Sequence, residues 1–424
     1  MKTGFDSICM VGLGYIGLPT AVVFALRGVN VVGLDVNSHA VETINRGQTH
    51  IVEPGLEDAL RRTVAAGHLR ATTRPEPADA FLIAVPTPFL HNGNGHEPDL
   101  SFVESAARSI APVLKAGDLV ILESTSPVGA TEAMAGWLAE DRPDLTFPQT
   151  HGEASDIRIA HCPERILPGH ALKELVSNDR IIGGMTPACA TRARRLYKLA
   201  VEGDCIETDC RTAEMAKLTE NSFRDVNIAF ANELSLICDR LDINVWELIR
   251  LANRHPRVNI LQPGPGVGGH CIAVDPWFIV SQAPEEARII RTAREINDAK
   301  PEWVLARVHQ AVAEHAAETG GPARIACFGL AFKPNIDDLR ESPALGIASR
   351  LAELYPGRVD VVEPYITHLP AAFADKASLV RPGEAAGKAD IIVLLVDHDD
   401  FKAMPAPAGK RIVDTRGVWT GRGR

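Results

Sequence analysis

Eight cysteines stand in the chain, and one differs from the others in its neighbours. Cys271 closes the run Pro263-Gly264-Pro265-Gly266-Val267-Gly268-Gly269-His270-Cys271, with Asp275 four residues further on. Four glycines carry little side-chain bulk, so a ligand can come close. Their N–H groups can also face an anion. A thiolate beside a cation is a competent nucleophile. For Cys9, Cys162, Cys189, Cys205, Cys210, Cys238 and Cys327, packing as small buried hydrophobes is the better reading. None stands at C-x-x-C spacing, so neither a metal site nor a disulfide scaffold is expected.

A second set is Lys217, Asn221 and Arg224, at i, i+4 and i+7 on one stripe of a helix. The surrounding positions Met215, Leu218, Ile228, Phe230, Leu234 and Ile237 are apolar, which predicts a buried helix. A buried lysine beside an asparagine requires a partner or a chemical task. A solvated polar face is the alternative. A third set is Gly12-x-Gly14-x-x-Gly17, which follows an apolar strand and opens a helical pattern. Asp35 stands 18 positions after Gly17, at the end of the next strand. This arrangement lets the backbone approach a pyrophosphate at a helix N-terminus, while the carboxylate accepts from the ribose hydroxyls. That carboxylate would repel a 2′-phosphate, so NAD is expected over NADP. A glycine-rich turn without nucleotide is the competing reading.

Thr87 and Thr125 follow two further strands, where they could reach a ligand or simply cap helices. His255 and Arg257 in one loop, and Lys333 and Arg340 in another, could pair with phosphate or lie on the surface.

These groups need a frame. Apolar runs at Ile8 to Val11, Val31 to Leu34, Phe81 to Val85 and Leu119 to Leu122 alternate with helical patterns, which indicates a parallel sheet buried on both faces. Helical periodicity then dominates from Thr212 to about residue 315. Beyond Gly320-Gly321-Pro322 the alternation restarts at Ile325 to Phe328, Val359 to Val362, Ile391 to Val396 and Ile412 to Val413. The expected architecture is α/β, with two Rossmann-like parallel-sheet domains joined by a central helical region with a long helix. The boundaries read as 1–205, 206–318 and 319–424, consistent with 424 residues at roughly 150 per domain. The net charge of −10 lacks the basic footprint of nucleic-acid or anionic-membrane binding. No apolar run approaches the roughly 18 residues of a membrane span. No basic region, apolar stretch and cleavage site stand in series at the start, so a cytoplasmic location is expected.

With these residues assembled, the sequence resembles the nucleotide-sugar 6-dehydrogenases, the UDP-glucose and GDP-mannose dehydrogenase family. The likeness covers nearly the whole chain. Its marks are GLGYIGLP (12–19), AVPTPF (84–89), ESTSPVG (123–129), CPERILPG (162–169), TAEMAKLTENSFRDVNIAFANEL (212–234), NRHPRVNILQPGPGVGGHCIAVDPWFIV (253–280) and FGLAFKPNIDDLRESPA (328–344). The loop 90–97 is longer than the family's pattern. The resemblance implies a four-electron oxidation at C6 of UDP-N-acetyl-D-mannosamine, or of another nucleotide sugar such as UDP-N-acetylglucosamine or UDP-glucose. Two NAD are reduced, through a hemithioacetal and a thioester on Cys271. A two-electron hydroxyacid dehydrogenase would share the N-terminal fold but needs no nucleophilic thiol. A non-catalytic NAD-binding regulator has no reason to hold Lys217, Asn221, Cys271 and Asp275 together.

The resemblance further implies that Lys217 is an acid/base or oxyanion-stabilising group and that Asn221 assists it. Glu164 and Asp275, with Thr125, would position or activate water. Tyr15, Ile16, Asp35, Thr87, Thr131 and Arg340 join Gly12, Gly14 and Gly17 on NAD. Arg165, Ile166, Arg224, His255, Arg257, Gly268, Phe332 and Lys333, with Lys217 and Asn221, hold the UDP-sugar. A homodimer through the central region is implied, and a product that feeds a surface polysaccharide.

Overall fold

The computed structural model of the chain describes residues 4–90, 96–166, 169–269 and 271–420, so most of the long loop 90–97 lies outside the described residues. The chain forms two compact units, Met1–Glu220 and Asn221–Arg424.

In the first unit eight strands make one sheet. They are β1 (Ser7–Val11), β2 (Asn30–Leu34), β3 (Leu69–Thr72), β4 (Ala80–Ile83), β5 (Leu119–Leu122), β6 (Arg158–His161), β7 (Arg180–Gly184) and β8 (Cys205–Asp209). Their order is β3-β2-β1-β4-β5-β6-β7-β8, parallel throughout except between β6 and β7. Side chains alternate between the two faces of each strand. Ile8, Met10, Leu82 and Ile121 therefore enter one core, and Cys9, Val11, Phe81, Ile83 and Val120 the other. Burial on both faces explains why β4 and β5 read as unbroken apolar runs. The chain reverses its direction of progress between β1 and β4. At such a switch point the loops beyond the strands' carboxyl ends diverge and leave a crevice. The glycine turn after β1, Thr87 after β4 and Thr125 after β5 all stand at those ends.

The second unit holds a five-stranded parallel sheet of β9 (Ile325–Phe328), β10 (Val359–Val362), β11 (Ala377–Leu379), β12 (Ile391–Leu394) and β13 (Arg411–Asp414). Its order, β11-β10-β9-β12-β13, repeats the winding of the first five strands of the larger sheet without any sequence repeat.

The central helix Cys210–Arg240 and the helix Arg288–Thr319 are held by buried polar groups. Arg294 Nη1 donates to Asp225 Oδ1 at 2.7 Å, Asn297 Nδ2 to the same oxygen at 2.8 Å, and Asn232 Nδ2 to Asn297 Oδ1 at 2.8 Å. Asn297 adds a second donor to the same Asp225 oxygen of this buried charge pair. This face corrects the expectation of a helix buried all round. Phe223, Phe230 and Ile237, seven residues apart, are 71%, 50% and 47% exposed, and Met215 is exposed as well. One neighbouring helix covers only one stripe, and Asp225 and Asn232 occupy it.

Candidate active site

The glycine turn of the first unit is shaped by close contact. A Cβ on Gly17 would lie 1.8 Å from the Gly12 carbonyl oxygen, and one on Gly12, at φ +89°, 2.5 Å from that of Ala84. At Gly14 nothing lies within 4 Å, so the backbone there is open to a ligand. The helix Gly17–Leu26 begins next, with no acidic residue in its first turn. Asp35 Oδ2 accepts the N–H of Leu13 at 2.8 Å and Oδ1 that of Asn37 at 2.9 Å, which fixes the carboxylate beside the turn. Tyr15 is exposed and Ile16 half-buried on the same turn. These residues fit a dinucleotide: an open backbone, an uncharged helix start and a positioned carboxylate.

The two hydroxyl-bearing strand ends are stitched together. Ser124 Oγ donates to the Val85 carbonyl at 2.7 Å, and Thr87 Oγ1 to that of Thr125 at 2.6 Å. Neither threonine caps a helix; the adjoining helices start after Leu100 and Gly129. Thr131 is fully buried, and its N–H and hydroxyl both donate to Glu214 Oε1, at 2.8 and 2.6 Å. The other Glu214 oxygen accepts the Gly129 N–H at 2.7 Å. Burial raises the Glu214 pKa, an effect partly offset by these three donors. Three positions further along the same helix, Lys217 is half-buried, and its ammonium has no partner among the described residues. Glu164 is buried, with an ion pair to Arg180, whereas Arg165 pairs with Glu220 at 2.7 Å. Ile166 packs against the first core.

In the second unit, Cys271 is exposed while the other seven cysteines are buried. Burial pushes the thiols of Cys9, Cys162, Cys210 and Cys327 up to about 12, so they stay protonated. The glycines before Cys271 rest on the segment 332–343. A Cβ on Gly268 would lie 2.3 Å from the Glu341 carbonyl oxygen, and one on Gly269 3.0 Å from the Phe332 ring. Asp275, buried at the start of the helix Asp275–Gln282, accepts from Asn221 Nδ2 at 2.5 Å. Phe332 and Lys333 lie in the loop after β9. That loop is held by buried Glu363, which accepts the N–H groups of Leu330 and Ala331 and faces His398 Nε2 at 3.1 Å. Burial alone would raise the Glu363 pKa, but these donors bring it below the usual value. Arg340 chelates Asp338 with two hydrogen bonds. Arg224, His255 and Arg257 are exposed. The structure thus sets Gly268 and Gly269, just before Cys271, against Glu341 and Phe332, and ties Asn221 to Asp275. Spacing does not single out Glu123, Arg180 or Glu214: Glu123 ends an apolar strand, Arg180 follows Asn178-Asp179, and Glu214 stands between Arg211 and Lys217.

Sequence profiles of the UDP-glucose/GDP-mannose dehydrogenase family match three stretches. The NAD binding domain matches residues 6–201, the central domain 211–299 and the UDP binding domain 326–421. A UDP-N-acetyl-D-mannosamine dehydrogenase of Salmonella typhi is 64% identical over 420 residues, 98% of this chain and 99% of that one. An NDP-N-acetyl-D-galactosaminuronic acid dehydrogenase of Ralstonia nicotianae is also 64% identical, over 99% of this chain and 97% of its own. The solved structure of a UDP-D-ManNAc dehydrogenase from Pyrococcus horikoshii superposes with a TM-score of 0.85 at 40% identity, covering 97% of this chain and 96% of that one.

Proposed function

The chain belongs to the UDP-glucose/GDP-mannose dehydrogenase family, and from that membership we propose that it oxidises UDP-N-acetyl-D-mannosamine at C6 to the uronate. It is an NAD-dependent oxidoreductase. The observation that carries the four-electron reading is Cys271, exposed in a glycine-framed loop while every other cysteine is buried.

When bound at the glycine turn and Asp35, NAD supplies a hydride acceptor for each of the two oxidations. The first oxidation takes a proton and a hydride from the C6 alcohol and leaves an aldehyde. The Cys271 thiolate then adds to the aldehyde carbon and forms a hemithioacetal, which still carries a hydride. Loss of that hydride leaves a thioester. Water attacks the thioester carbon, the C–S bond breaks, and the uronate and the thiol are released. Lys217 and Asn221 donate to the oxygen as its negative charge develops. Glu164 takes the proton of the attacking water, with Asp275 and Thr125 positioning it. Arg165, Ile166, Arg224, His255, Arg257, Gly268, Phe332 and Lys333 bind the UDP-sugar. Tyr15, Ile16, Thr87 and Arg340 complete the NAD site, while Thr131, fully buried and bound to Glu214, holds the turn behind it and does not touch NAD itself.

A second reading, the same chemistry on another N-acetylhexosamine nucleotide, is favoured by the 64%-identical Ralstonia relative. Incubating the protein with NAD and a panel of UDP-sugars, and counting NADH per sugar, tests both. Two NADH per UDP-N-acetyl-D-mannosamine is expected. One NADH, or turnover of hydroxyacids alone, would sink the four-electron reading, and preference for a different sugar selects the second. The reading extends to three domains (1–205, 206–318 and 319–424) and a cytoplasmic homodimer. The exposed stripe Phe223, Phe230 and Ile237 supports the dimer. The product's downstream use in a surface polysaccharide is what membership of the family implies.

A further inference from the structure

Arg180 opens β7 with its side chain buried in the first unit. Its Nη1 donates to Glu164 Oε2 at 2.6 Å, and the two side chains are 3% and 6% exposed. The other carboxylate oxygen of Glu164 accepts the Arg165 N–H at 2.7 Å, so the group is fixed at both ends. The Arg180 guanidinium carbon also stands 5.4 Å from the centre of the Tyr197 ring. The Tyr197 hydroxyl donates to Glu123 Oε1 at 2.6 Å. Glu123 Oε2 and Arg180 Nε are buried without a hydrogen-bond partner among the described residues. One guanidinium therefore holds Glu164 and lies beside the tyrosine that binds a second buried carboxyl group, Glu123.

We propose that Arg180 is a positioning residue for Glu164, and that Glu123, held by Tyr197 beside the same guanidinium, sets how firmly Arg180 holds that carboxylate. The proposal rests on the assignment of Glu164 as the base. The other titratable groups facing Glu123 stay neutral: burial pushes Cys162 up to about 12 and Tyr197 well above its ordinary value. Glu123 itself is pushed up by burial to about 7, against the pull of Arg180. Below that pH Glu123 is protonated, and the guanidinium holds Glu164 alone. As pH rises through about 7, Glu123 ionises, competes for the guanidinium and loosens its hold on Glu164 Oε2, which frees that oxygen for water. Thioester hydrolysis then accelerates.

The test uses the full chain with NAD and UDP-N-acetyl-D-mannosamine, following kcat, KM and single-turnover uronate formation from about pH 6 to 9, with a thermal melt of each variant. Glu123→Gln keeps the shape and the tyrosine contact, and it should abolish the rise through neutrality. Arg180→Lys should lower kcat about tenfold with KM within roughly twofold. Glu164→Gln should lose roughly a hundredfold. A wild-type rate in Glu164→Gln removes the base assignment and the proposal with it. A slow Glu164→Gln beside unchanged kcat and pH profile in the other two overturns the proposal alone. If Arg180→Lys fails to melt cooperatively, the Glu123→Gln profile decides.

Discussion

At Cys271 the backbone carbonyl accepts the N–H groups of Val274 and Asp275, at 3.1 and 2.9 Å, and this fixes the turn into the helix Asp275–Gln282. A side-chain change there leaves that turn intact. Cys271→Ser should therefore keep NAD binding and melting temperature while net uronate formation falls by about a thousandfold. NAD titration and product quantification check this, and a wild-type rate would rule out the thioester route. The exposure of Cys271 is legible because its glycine frame is local in sequence. The partners of Glu214 are not local: its bond to Thr131 spans 83 positions. Arg180 and Glu164 pair only because β6 and β7 are neighbours in one sheet. A carboxylate's burial and its donors depend on such tertiary pairing, which residue spacing does not encode.

Among the elements, the dinucleotide turn separates shape from binding. Gly17→Ala places a methyl group 1.8 Å from a backbone oxygen, so the turn must open. The melting temperature should drop by about 5 °C or more, and NAD should no longer raise it. Gly14→Ala meets open space. It should fold as the wild type does and bind NAD about tenfold more weakly, through lost backbone approach alone. Thermal melts with and without NAD distinguish the two, and a normal melt in Gly17→Ala would contradict the geometry. Strands such as β4 and β5 were readable because both faces are covered. β3, with alternating exposure along Leu69-Arg70-Ala71-Thr72 at the sheet edge, was not. Neither were β6 and β7, each of which opens on an arginine. The central helix shows the converse, because apolar periodicity predicted burial where packing covers one stripe.

For the whole molecule, the exposed stripe of Phe223, Phe230 and Ile237 is the feature a lone chain manages poorly. With a net charge of −10, like-charged copies repel at long range, so any association must come from local apolar contact. The wild type should sediment as a dimer, and Phe230→Glu should shift it toward monomer and lower its melting temperature. A dimeric Phe230→Glu would exclude this stripe as the interface.

Glu214 grips the turn at Gly129 and Thr131 from the first part of the helix that also carries Lys217, Asn221 and Arg224. An α-helix advances about 100° per residue. One inserted or deleted residue after Glu214 would swing all three groups by that angle while their anchor stayed in place. Point substitutions on the exposed side are tolerable, but the spacing from 214 to 224 is not adjustable. Homologous chains should therefore vary in letters across this stretch and never in length.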